Sequence, residues 1–162
     1  MNSTYVVWKT KEVSNAFVLD VLSGVEKAWE VVEGVPRAST FPGDVSFSVD
    51  PDFSNHTLLI DAFETTRSMT VISQKLKDFF EVRHAKNVEY LPVTILDHKK
   101  KPAGHYFILH PIHPVDCLDL KASEAKWDPV DDTTIGKIKR IVFDESKLDP
   151  ELVLFKFKYL YD

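Results

Sequence analysis

The stretch VEYLPVTIL, residues 88–96, is rich in β-branched and aromatic side chains; after the polar run DHKKKPAG (97–104) comes a second such stretch, HYFIL, at 105–109. Two runs of this kind, separated by charged and turn-forming residues, read as a β-hairpin. Pro92 has no amide hydrogen to give to a ladder, so it suggests that the first run lies at a sheet edge or carries a bulge. Working outward, residues 5–8 (YVVW), 45–49 (VSFSV), 135–143 (IGKIKRIVF) and 152–157 (LVLFKF) read as further strands. The third of these alternates apolar and basic residues, as a half-buried strand does. Residues 74–83 (QKLKDFFEVR) follow Ser73, an N-cap residue, and carry Leu76, Phe79 and Phe80 as an apolar stripe, which predicts a helix. Residues 21–32 (VLSGVEKAWEVV) also have helical spacing, interrupted by Gly24, and residues 144–148 (DESKL) read as one helical turn capped by Asp144. No repeat and no domain-separating linker interrupts the chain. The expectation is one α+β domain over residues 1–162, a strand-rich mixed or antiparallel sheet with a few short helices.

The composition, 44% hydrophobic and 28% charged over 162 residues with a net charge of −5, suits a soluble globular protein. Cys117 is the one cysteine, so no internal disulfide can form. The N-terminus lacks the basic and apolar regions of a signal peptide, and no run reaches the 18 or so apolar residues that a membrane span needs. A cytoplasmic chain without a membrane partner is expected. Between residues 116 and 132 six acids (Asp116, Asp119, Glu124, Asp128, Asp131, Asp132) face only Lys121 and Lys126, while bases cluster at 98–101. That balance argues against nucleic acid as a partner. It suits either a basic partner or a merely solvated acidic surface.

HPIHPVDCLD, residues 110–119, gathers His110, His113, Cys117, Asp116 and Asp119 into ten positions. Histidines three apart point to opposite faces of an extended chain, and Pro111 and Pro114 keep both out of a regular helix, which works against joint metal ligation. Cys117 lies between apolar neighbours and favours a buried structural role, with a nucleophile near His113 as the alternative. No phosphate-binding loop, nucleophile elbow or zinc motif is present. No cofactor is expected. Trp127, inside the acidic segment, reads as an anchor for a partner or as an aromatic packed on the sheet.

Taken in order, the blocks MTVISQKLKDFFE, VEYLPVTILD, HYFILHPIHPVDCLDLKASEAKW, IKRIVFDESKL and LVLFKF resemble the Imm11 immunity-protein family. The resemblance runs from about residue 63 to 157 and is weak over 1–60. Within the third block the family pattern falls on Val115, Asp116, Leu118, Asp119 and Ser123, not on the histidines. Gln74 stands where relatives usually have Glu. Relatives also continue past LVLFKF into a helix and a final strand, so this chain is expected to be a short member or to lack a C-terminal piece. The resemblance implies a non-enzymatic antidote that binds a cognate bacterial toxin or effector in the cytoplasm, with a secretion-delivered nuclease as one class of target. The toxin-binding residues it suggests are Asp116, Asp119, Glu124, Trp127, Asp128, Asp131 and Asp132. An exposed strand edge near Pro92 is expected to serve equally self-association, as a homodimer, or toxin docking. The competing reading is a small metal- or cysteine-dependent hydrolase built on His110, His113 and Cys117, and a third is a plain assembly module.

Overall fold

The hairpin of residues 88–111 is the longest ladder among the described residues. A computed structural model of the chain describes residues 5–160; the parts of the signal-peptide and chain-end readings that fall on residues 1–4 and 161–162 lie outside the described residues. In chain order the elements are β1 (Leu19–Ser23), α1 (Trp29–Val32), β2 (Ser46–Val49), β3 (Ala62–Glu64), β4 (Thr70–Ile72), α2 (Gln74–Val82), β5 (Val88–Leu96), β6 (Pro102–Pro111), β7 (Lys126–Trp127) and β8 (Ile135–Lys137). Six strands form one mixed sheet in the order β1-β2-β5-β6-β4-β3, in which only the β2–β5 pair is parallel. β7 and β8 form a separate two-stranded ladder. The α+β expectation is met.

β6 begins three residues earlier than the apolar pattern predicts. The Asp97 carboxylate accepts the amides of Lys99 and Lys101, at 2.8 and 2.9 Å, and folds the turn within the polar run so that pairing starts at Pro102. From there Val93 faces Tyr106, Leu91 faces Ile108 and Glu89 faces His110. Period-two alternation sorts the hairpin onto two faces. Leu91, Val93, Ile95, Tyr106 and Ile108 join Phe47, Leu19, Val71 and Phe63 in the larger core. On the other face Tyr90, Phe107, Leu109 and Ile72 lie under α2, which covers them with Phe80 and Leu76. Helix α2 starts where expected: Ser73 Oγ accepts the Leu76 amide at 3.3 Å and donates to Asp61 at 2.7 Å.

The sheet curls until its ends touch. Thr66, in the turn between β3 and β4, donates its hydroxyl to the Asp20 carboxylate of β1 at 3.0 Å. Both sheet edges are short, which limits edge-to-edge pairing with other chains.

Several sequence expectations need correction. Residues 21–32 are not one helix: the first part is β1, Gly24 ends it at φ +87°, and only α1 is helical. Residues 5–8 form no strand; instead the Trp8 ring lies 5.4 Å from Phe80. Of residues 135–143 only β8 is laddered, because the chain beyond it turns to bond Ser123 and Asp119. Residues 152–157 form no strand beyond one bridge between Val115 and Phe157. Pro92 lies on an interior strand, and the hairpin's bulge falls at Ile95/Leu96. Thr94 donates toward β2, to Val45 O at 3.0 Å, so Pro92, two residues earlier, presents its missing donor to the same side ahead of where β2 begins. The sheet therefore loses no bond to it.

Phe47 is completely buried at the centre of the larger core. Phe47→Ala should lower the unfolding free energy by about 3–5 kcal/mol, read from urea denaturation, because the curled sheet has few ways to close over the void.

Candidate functional site

His110, the first of the paired histidines, stands opposite Glu89 at the end of the β5–β6 ladder and is fully buried. Helix α1 is only four residues long, so its last carbonyls have no partner within it; beyond it Gly34 is buried, while Glu33, Val35, Pro36 and Ala38 are exposed. Its carbonyls therefore need donors from elsewhere. His110 Nε2 donates to Val35 O at 2.8 Å. A carbonyl can only accept, so the ring proton is on Nε2 and the neutral Nδ1 lone pair is left without a partner. Lys156 Nζ donates to Val31 O and Val32 O at 3.0 and 3.2 Å. Glu89 Oε2 accepts the amides of Arg37 and Ala38 at 2.7 and 3.0 Å and lies 3.8 Å from His110 Nε2. The Arg37 guanidinium in turn pairs with Glu30 of α1. Burial pushes the His110 pKa below its ordinary value, despite the hydrogen bond to Val35, and burial lowers Lys156 to about 8. These groups tie the residue 31–38 segment to the sheet and to the C-terminal segment.

His113 does not join them. It sits in a turn at φ +57°, exposed, with its amide donating to Gly34 O at 3.0 Å. Pro114 packs so tightly there that a Cβ on Gly34, itself at φ +75°, would lie 2.8 Å from the proline ring. Cys117 is fully buried, and burial raises its thiol pKa; the charged groups that bear on it are Asp116, Lys147 and Asp144. Among the described residues no group of three or more His, Cys, Asp or Glu side chains is placed to hold a metal ion. The three side chains of the hydrolase reading thus go to three different environments: a buried tie, an exposed turn and a packed core.

The acidic segment folds into a lobe around β7 and β8. Asp119 Oδ1 accepts the Ala122 amide at 2.8 Å, and Ser123, fully buried, exchanges hydrogen bonds with the backbone of Val142. Asp128 Oδ1 accepts the amides of Val130 and Asp131. Asp131 accepts from the Thr133 amide and hydroxyl and from the Thr134 hydroxyl, bonds that hold its carboxyl below the usual carboxylate range. Those three carboxylates build turns. Glu124 pairs with Lys139 at 3.0 Å. Asp116 and Asp132 are exposed, and neither makes a side-chain hydrogen bond or ion pair among the described residues. Trp127 is 43% exposed and meets Tyr159 edge-on at 5.4 Å between ring centres.

The lobe carries more positive charge than residues 116–132 alone suggest. β8 and the residues after it bring Lys137, Lys139 and Arg140 beside the acids, so residues 116–140 hold six acids against five bases. The alternation of IGKIKR was legible as a strand signal, but nothing local said which segment it would pair with.

A family model described as the Imm11 immunity protein family matches residues 10–156, about nine-tenths of the chain. The match reaches well upstream of residue 63, where the quoted sequence blocks begin. No curated protein matches the chain.

The burial of neutral His110 predicts an acid-labile fold. Its folded pKa lies below the ordinary 6.5, so the unfolded chain binds the extra proton first and stability is lost as the pH falls below about 6.5. In urea unfolding at pH 7 and pH 5, the wild type should lose more stability over that interval than His110→Asn, whose amide does not titrate.

Proposed function

The chain belongs to the Imm11 immunity protein family, and we propose that it is an antidote that neutralises a cognate toxin by binding it, without chemistry of its own. The observation that carries this reading is the family match over residues 10–156. The fate of the reactive side chains supports it: His110 holds a carbonyl, Cys117 is core, and His113 is one exposed imidazole in a turn.

The toxin-facing surface we assign is the lobe of residues 116–140. Trp127 supplies a large, half-exposed aromatic anchor of the kind that concentrates binding energy at interfaces. Asp116, Glu124 and Asp132 are at its surface, while Asp119, Asp128 and Asp131 shape the turns that present them. We place the encounter in the cytoplasm; no helix among the described residues is long and apolar enough to cross a membrane. A nuclease delivered by a secretion system is one target class this family suggests. The exposed carboxylates Asp116 and Asp132 favour a basic target of that kind, and the five bases of the same lobe weigh against it.

The test is protection of cells. Co-expression with the toxic domain encoded by the neighbouring gene should restore survival, and His113→Ala with Cys117→Ser should protect as well as the wild type. Protection that saturates at one antidote per toxin marks a binder. Protection at far below one equivalent, lost with those substitutions, would establish an enzyme instead.

A further inference from the structure

In the β7–β8 ladder Lys126 and Lys137 are directly paired across the strands. Like charges opposite one another weaken a cross-strand pair, and a ladder this short has little stability to spare. With Glu124 and Lys139 they line a notch of about 380 Å³. Glu124 is already committed to Lys139. Neither Lys126 nor Lys137 makes an ion pair or side-chain hydrogen bond among the described residues. The chain thus gathers three ammonium groups around one carboxylate, next in sequence to Trp127, one of three exposed tryptophans. On the other side of Trp127 lies the 128–134 turn, where the Asp128 and Asp131 carboxylates are consumed by backbone amides and hydroxyls.

From this charge imbalance we propose that the notch receives acidic side chains of the toxin, with Trp127 packing beside them. The inference rests on the toxin-binding reading and reverses the polarity that the acidic segment suggests from sequence: at the centre of the lobe the uncommitted charge is positive. A partner carboxylate entering between Lys126 and Lys137 relieves their repulsion, so the charge pair gains in the complex what it lacks in the free protein.

The experiment measures affinity between the full chain and the toxic domain encoded by the neighbouring gene, by calorimetry at two salt concentrations. Lys126→Glu with Lys137→Glu should weaken binding by at least about ten-fold and flatten its salt dependence. Trp127→Ala should weaken binding at both salt concentrations, and the control Glu12→Lys, an exposed acid outside the lobe, should leave it unchanged. The single variant Lys137→Glu guards against misfolding. It places opposite charges across the ladder, so its thermal midpoint should not fall below that of the wild type while its binding does. Unchanged affinity in the double variant, or loss of binding confined to Asp132→Lys, overturns the proposal while leaving toxin binding intact. Sedimentation showing that the wild type self-associates through the notch, and that the double variant does not, would make the occupant a second copy and overturn it too. No binding by the wild type overturns the toxin-binding reading, and this inference with it.

Discussion

Helix α1 ends after four residues, and in the half-exposed segment that follows the carbonyls of Val31, Val32 and Val35 and the amides of Arg37 and Ala38 are met by side chains. Unmet buried amides and carbonyls each cost on the order of 1–3 kcal/mol, a large share of a small domain's stability. The chain meets the demand with side chains drawn from remote positions: Glu89 from β5, His110 from β6 and Lys156 from the C-terminal segment. Three parts of the molecule are thereby held in one arrangement. A histidine that looks reactive in the sequence serves instead to hold an irregular, half-exposed loop against the sheet.

That loop also places the turn at His113, since the His113 amide bonds Gly34 and Pro114 packs against the same glycine. From the turn the chain runs into the 116–140 lobe, where Cys117 and Ser123 anchor it to the backbone of residues 142–144. The exposed face of the lobe is thus supported from below by fully buried residues. A binding surface needs this: a presented side chain loses less entropy on binding when its own backbone is already fixed.

The parts legible in the sequence are those with local causes. The hairpin of β5 and β6 announces itself by alternation and a polar turn, α2 by its serine cap and apolar stripe, and the turn after Asp144 by its capping carboxylate. The parts that were misread have partners far away in the chain. Residues 138–143 belong to a run that reads as a strand, yet their backbone bonds go to Ser123 and Asp119 across a loop. LVLFKF is apolar enough for a strand, but Leu154 joins the cluster under α2 while Lys156 goes beneath α1. The acids of residues 116–132 are plain in the sequence and the lobe's net charge is not, because the neutralising bases come from β8 and the residues after it. Sequence distance hid both the buried polar cluster and the lysine notch.

The strand order has a consequence in time. β5 and β6 are neighbours in the chain, and their ladder needs only the Asp97 turn to close. β2 must instead find β5 in parallel, with Ser46 beside Thr94, after the whole of β3, β4 and α2 has been passed over. Closing so long a loop is the slow kind of step in folding, and it comes after the local hairpin offers an edge to dock on. The buried polar cluster joins this late step, since its loop lies between β1 and β2 and its lysine near the end of the chain. During synthesis the hairpin can form as soon as β6 has emerged, whereas the cluster waits for Lys156, 45 residues after the end of β6 at Pro111.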